Sequence, residues 1–218
     1  MKALFSARKI IFCLSCLTSA TIAQSSPTNA PIRQISPGIF QVGLVRLNPA
    51  EKTVQFPAFV NMTNGLVEYL LVTGTGKLHE SVLRTDVEPA QIHVAMLFIG
   101  TQGTSNSATA NILGDKFHVK VSYKSDNVEK RVEGEELVFN NKAKVPMSKG
   151  AWIYNGSKIV DGTFIAQRDG SIVSIITDPL ALANNPHPDR DDDEIWFVNT
   201  NSIPPLNTSV EVTFQLEK

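Results

Sequence analysis

The sequence predicts an α+β, mainly β fold: a single domain of short, mostly antiparallel strands with one buried apolar helix at about residues 88–99. Short apolar runs recur along the chain, each bounded by Gly, Asn, Asp or Pro, which is the punctuation of strands. One apolar run instead starts at a proline, lasts about three helical turns and stops at a glycine. From Ile35 onward no linker, internal repeat or low-complexity tract divides the chain, so 35–218 reads as one globular domain.

The elements follow in order. IFQVGLVRL (Ile39 to Leu47) alternates imperfectly and reads as a strand. TVQFPAFVN (Thr53 to Asn61) follows a turn at Asn48-Pro49, and Pro57 predicts an edge or a bulge because it has no N–H for a ladder. VEYLLVTG (Val67 to Gly74) is apolar on both faces, as a central strand is. The helix comes next. Pro89 suits its first turn, Asp86 or Glu88 is placed to accept from the free amides, and Gly100 stops it. Ile92, Val94, Ala95, Met96, Leu97, Phe98 and Ile99 leave it almost no polar face, so coverage on most sides is expected.

FHVKVSY puts Phe117, Val119, Val121 and Tyr123 on one face and His118, Lys120 and Ser122 on the other, the exposed one. ELVFN, AWIYNG, GTFIAQ, SIVSIITD, EIWFVN and SVEVTFQL are further strands. Asp169-Gly170 signals a tight hairpin between two of them, and a second short helix is expected at LALANN after Asp178-Pro179.

Ahead of the domain, 24–34 is expected to be a flexible tether, since QSSPTNAPIR is small, polar and twice interrupted by proline. Residues 1–23 read as a cleaved secretory signal: Lys2, Arg8 and Lys9 precede the apolar Ile10 to Leu17, and Thr21-Ile22-Ala23 ends in small residues. Export to the periplasm or the extracellular space follows, with lipoprotein anchoring through Cys16 as the alternative. No later segment reaches the roughly 20 apolar residues that span a bilayer.

Cleavage removes both cysteines, Cys13 and Cys16, and with them disulfide, thiolate-zinc, thiol-nucleophile and iron–sulfur chemistry. It also removes three basic residues, taking the charge from −1 (20 basic, 21 acidic) to 17 − 21 = −4, which carries no footprint for nucleic acid.

Two polar segments are candidates for chemistry. TGTGKLHES lacks the glycine and the Ser or Thr of a phosphate-binding P-loop, having Leu71 and Leu78 there. His79, Glu80 and Asp86 are the catalytic candidates, as acid, base or orienting groups. In consecutive positions, however, His79 and Ser81 face one way and Glu80 the other, so a triad would need residues from elsewhere. The bland account is a loop that turns the chain into the helix. His93, in an apolar helix, reads as a satisfied boundary histidine. In NNPHPDRDDDEIWFVN, Asp189, Asp191 and Asp193 have the alternate spacing that can converge on calcium or another divalent cation, with Asn184, Asn185 and Glu194 as further oxygens. Here the bland account is an acidic solvated loop partly neutralised by Arg190 and stiffened by Pro186 and Pro188. No cofactor fingerprint is present.

These two segments resemble exported bacterial proteins carrying the YdjY domain. Gly76, Lys77, His79, Glu80, Ser81, Thr85 and Asp86 match a G-K-x-H-E-S…T-D block. Asp178, Pro179, Asn184, Asn185, Pro186, Asp191, Asp192, Phe197, Asn199, Pro204 and Pro205 match a later D-P…N-N-P…D-D…F-x-N…P-P segment. The resemblance implies no established activity. Some relatives carry ferredoxin-like cluster modules, but without cysteines no electron-transfer role passes to this chain. It does imply that the blocks meet, joining His79 and Glu80 to Asp191 and Asp192 in one pocket.

The expectation for function is a non-enzymatic exported module that binds a protein or a small molecule at the envelope. A metal-dependent hydrolase using His79 and Glu80 or the Asp189–Asp193 segment is one alternative. A calcium-stabilised structural domain is the other.

Overall fold

A computed structural model describes residues 30–102 and 114–217. The leader and most of the tether lie outside these residues; β1 (Arg33–Ser36) begins two residues ahead of the expected domain start. It pairs with β2 (Ile39–Val42), which pairs with β3 (Val45–Asn48), which pairs with β4 (Thr53–Val60), all antiparallel. IFQVGLVRL is therefore a hairpin rather than one strand. Val42 faces Val45 across a two-residue loop, and Gly43 supplies the positive φ of 56° that such a loop needs.

β5 (Tyr69–Thr73) is buried at every position, as its two apolar faces predict, and lies parallel to β6 (Ser81–Thr85). The helix α1 spans Pro89–Phe98. After it come β7 (Asp115–Ser125), β8 (Val128–Glu133), β9 (Val138–Asn140), β10 (Val145–Pro146) and β11 (Trp152–Tyr154). The chain continues through the short hairpin β12 (Ile159–Val160) and β13 (Thr163–Phe164), a second helix α2 (Ile165–Asp169), then β14 (Ser171–Ser174), β15 (Ala183–Asn184), β16 (Trp196–Val198) and β17 (Ser209–Leu216).

Eight of these strands close a barrel in the order β4-β17-β7-β11-β15-β14-β5-β6, and β6 returns to β4 through Arg84 opposite Phe59 and Leu83 opposite Val60. Pairing is antiparallel except for β14 with β15 and β5 with β6. Alternation fills the interior: Val54, Phe56, Ala58 and Val60 of β4 and Val210, Val212, Phe214 and Leu216 of β17 are buried. Phe214 is the hub of an aromatic line, 5.1 Å from Phe56 edge-on and 4.7 Å from Phe117. A small sheet, β10-β9-β16, joins the same core through Val138 and Trp196.

Pro57 sits in neither of its expected settings. It lies inside β4, opposite Glu211 of β17, at the point where the other edge of β4 passes from β3 (Asn48, Leu47 and Arg46 opposite Thr53, Val54 and Gln55) to β6 (opposite Phe59 and Val60). A residue's N–H and C=O leave a strand on the same side, so the missing N–H falls in this fork. The Pro57 carbonyl there accepts the Thr85 hydroxyl at 2.6 Å.

Two local signals resolve differently from expectation. GTFIAQ holds the last strand residues of the small hairpin and then α2, and Gly170 is the left-handed C-cap of that helix (φ 72°) rather than part of a hairpin turn. LALANN is not helical: buried asparagines hold it as a loop leading into β15. The first free amides of α1 are met from α2, Gln167 Oε1 accepting the Ala90 N–H at 3.1 Å, while Asp86 is exposed and makes no cap. α1 bridges the β2–β3 hairpin and the barrel strand β11. Ile92, Ala95 and Met96 face the core, Gln91 accepts from the Leu44 N–H after β2, and His93 reaches Tyr154 on β11. Val94, Leu97 and Phe98 remain substantially exposed, so the helix is covered on one side and apolar on both.

Thr85→Val removes the hydroxyl that bonds Pro57 O and that accepts the Val87 N–H at 3.1 Å. It should cost about 1–3 kcal/mol, because buried partners are left unsatisfied at the point of closure. Urea unfolding checks this, and an unchanged midpoint contradicts it.

Candidate functional site

The first polar block is a fastening before it is anything else. Leu78–Glu80 form a single 3-10 turn between β5 and β6. Asn61, at the end of β4, donates through Nδ2 to Leu78 O (2.6 Å) and Ser81 O (2.7 Å). Ser81 is buried and its hydroxyl donates to Lys77 O at 2.6 Å, so it is committed to backbone and forms no pair with His79. The His79 side chain is 81% exposed and meets Glu80 at 3.5 Å. Asp86 lies at the far end of β6, about 17 Å along the strand, in a separate polar cleft with Thr75, Glu88 and Gln167. The three catalytic candidates are thus not brought together.

The second block divides in the same way. Asn184, fully buried, donates to Asn155 Oδ1 (2.8 Å) and Asp178 O (2.7 Å) and accepts the Asp178 N–H (2.8 Å). Asn185 donates to Ile175 O and accepts from the His187 N–H. Asn199 donates to Glu136 O. Pro188–Asp191 form another 3-10 turn, whose tight winding spoils the alternate spacing of the aspartates. Asp189 lies by His187, Asp191 accepts the Thr177 hydroxyl, and Asp192 pairs with Lys142 at 3.4 Å. Asp189, Asp191 and Asp193 do not converge. Among the described residues no group of three His, Cys, Asp or Glu side chains is arranged around a common centre.

The blocks do meet, through β5 rather than through His79 and Asp191. Lys77 lies 3.3 Å from Glu80 and 3.7 Å from Glu68, with its ammonium over the Tyr69 ring, and the Tyr69 hydroxyl donates to Asp178 at 3.1 Å. Burial, and then the Glu80 carboxylate beside it, push Glu68 above the usual carboxylate range, with Asp193 adding to the push. Burial and Asp178 raise Tyr69 to about 12. This is a polar seam along the barrel wall, with each group matched to a neighbour.

A different place is open. Between α1 and the β12–β13 hairpin lies a groove of about 630 Å³, lined by Ala90, Val94 and Leu97 on one side and Ile159 and Phe164 on the other, with His93 at its base. The His93 ring stacks on Tyr154 and tilts against Phe164 at 5.1 Å. Its Nδ1 is 2.7 Å from the Tyr154 hydroxyl. The Tyr154 phenol is fully buried and its hydroxyl has no other acceptor among the described residues, so its O–H is assigned as the donor to Nδ1, which places the imidazole proton on Nε2. Burial also lowers His93, leaving it a neutral imidazole near pH 7 among the residues that line the groove. Ser157 at the rim is committed, donating to Leu180 O and accepting from the Ala166 N–H.

Sequence reasoning passed over this groove because His93 alone reads as a boundary histidine. The signal was present in the helix with no polar face: in a chain with one small barrel to cover, such a helix leaves apolar side chains showing.

Fold and site define a mainly β protein, a mixed eight-stranded barrel with a helix across it and a ligand-sized groove along that helix. The YdjY domain family matches residues 45–215, and the chain belongs to that family. Comparison with curated proteins and with solved structures finds no match. Among the described residues no helix is long and apolar enough to cross a membrane.

The seam gives a pH dependence of definite sign. Glu68 binds its proton more tightly in the folded state than at its ordinary value of 4.5. Its favourable contribution is therefore full below about 4.5 and is lost as pH rises through the raised folded value. The difference in stability between wild type and Glu68→Gln should fall as pH rises from 4.5 toward neutrality. Chemical denaturation across that range checks it, and parallel curves contradict it.

Proposed function

We propose that this chain is an exported, non-enzymatic binding domain whose ligand is a small amphipathic molecule. Its apolar body sits between α1 and the β12–β13 hairpin, and an acceptor atom at one end receives the His93 Nε2–H. The observation that carries the reading is the groove itself. Its volume of about 630 Å³ lies within the roughly 300–1,000 Å³ of small-molecule sites, and its lining is apolar around a few convergent polar groups. Export rests on the leader-like residues 1–23.

The chemistry of the lining favours binding over turnover. His93 is a neutral donor held by a phenol rather than oriented by a carboxylate, and the neighbouring Ser157 hydroxyl is held by backbone. A neutral donor in an apolar groove selects an acceptor group and leaves the apolar contacts to supply most of the affinity.

Anilinonaphthalene sulfonate, an apolar body with an acceptor head, is a suitable probe. It should bind the folded protein saturably with fluorescence enhancement. Leu97→Asp should weaken it at least tenfold, about 1.4 kcal/mol, without lowering Tm appreciably, because Leu97 is 45% exposed. Absence of saturable binding, or equal binding by Leu97→Asp, refutes the groove as the site.

A further inference from the structure

Four buried side-chain polar atoms lack a hydrogen-bond partner among the described residues, and two of them, Glu135 Oε2 and Trp152 Nε1, belong to residues that line one cavity. Glu135 lies in the 3-10 turn Gly134–Leu137 and is 3% exposed; its other oxygen accepts the Gly150 N–H at 3.2 Å. Glu135, Gly150 and Trp152 line a cavity of about 120 Å³ together with Met147, Asn185 and His187. Trp196 is packed against His187, whose ring meets the indole edge-on at 5.2 Å. This cavity shares no lining residue with the groove beside α1.

Orphaned buried groups are costly, and a buried carboxylate without a counter-ion more so. The neighbouring turn shows how such groups are normally handled. Glu136 accepts both the Glu133 N–H (3.1 Å) and the Lys149 ammonium (2.8 Å), which leaves the lysine lining the cavity committed elsewhere. Glu135 has no ion pair among the described residues. Burial, the larger influence, pushes its carboxyl above the usual range. Glu135 Oε2 is thus left without a donor, and the Trp152 indole N–H without an acceptor, among the described residues.

We infer that this cavity is a binding site for a small molecule that carries a primary ammonium group and an oxygen acceptor, the ammonium on Glu135 and the oxygen on Trp152 Nε1. Ethanolamine, free or as a headgroup, and the amino acid glycine are small molecules that carry both groups. The cavity, about 120 Å³, is several times the roughly 30 Å³ share of one water in the liquid, which is room for a molecule of this size.

The sequence holds two tryptophans, Trp152 and Trp196, so a nitrogen-15 correlation spectrum of the whole protein contains two indole N–H signals. Titration with ethanolamine, glycine and glycerol at millimolar levels should move the Trp152 signal saturably with at least one of the first two. Ethanolamine alone identifies the amino-alcohol form, and glycine, alone or in addition, the amino-acid form. Glu135→Gln should reduce the affinity at least tenfold while a retained cooperative thermal unfolding transition reports an intact fold. If that variant fails to fold, the titration should instead weaken in wild type as pH falls through the Glu135 titration. No saturable movement, movement by glycerol alone, or undiminished binding by a folded Glu135→Gln overturns the inference.

Discussion

Barrel closure depends on β4 serving two partners on one edge. β3 takes its first half and β6 its second, and the side chain that spans the change is Thr85, bonded to the carbonyl of Pro57. A strand that kept β3 along its whole length would extend the sheet and leave β6 paired with β5 alone. Proline at the change removes the one N–H that neither neighbour is placed to accept. The ring of eight strands, the filled interior and the position of α1 after β6 all follow from that division.

Closing a small barrel with parallel pairs at β5–β6 and β14–β15 forces the chain through connections that a tight hairpin cannot make. Those connections are where the polar blocks lie. Asn61 holds the turn before β6, Asn184 and Asn185 hold the loop on either side of β15, and Asn199 ties the chain after β16 to Glu136. Each side chain stands in for ladder partners that a loop lacks. A net hydrogen bond contributes only about 1 kcal/mol, but a buried carbonyl or amide without one costs more. Polar residues concentrated at loops are thus what this topology demands, independent of any chemistry they perform.

That is also why so much of the fold and so little of the site was legible in the sequence. Strand alternation in SVEVTFQL and the apolar faces of VEYLLVTG are local properties, and they appear as β17 and β5. Pro89 and Gly100 bracket α1 for equally local reasons. The failures are non-local. Gly170 ends a helix instead of turning a hairpin, and a side chain there would strike the Thr73 hydroxyl and the backbone of Gly76, which the neighbouring strand β5 and the turn after it bring against it. The aspartates of DRDDDE have cation spacing only if extended, and the 3-10 turn winds them apart. The groove needs α1, β11 and β13 in one place, and no window of sequence contains all three.

Two kinds of polar group emerge from this. Those matched within the protein hold the barrel; Glu135 Oε2 and Trp152 Nε1, without a partner among the described residues, and His93, which lines the groove, are where the proposed ligands would bind. The most direct test is to map the anilinonaphthalene sulfonate contact by amide chemical-shift changes across the chain. The account predicts changes concentrated in 90–97 and 155–164, with the polar seam at 77–80 and 178–193 unaffected. Changes centred on that seam would contradict it and return the site to the polar blocks.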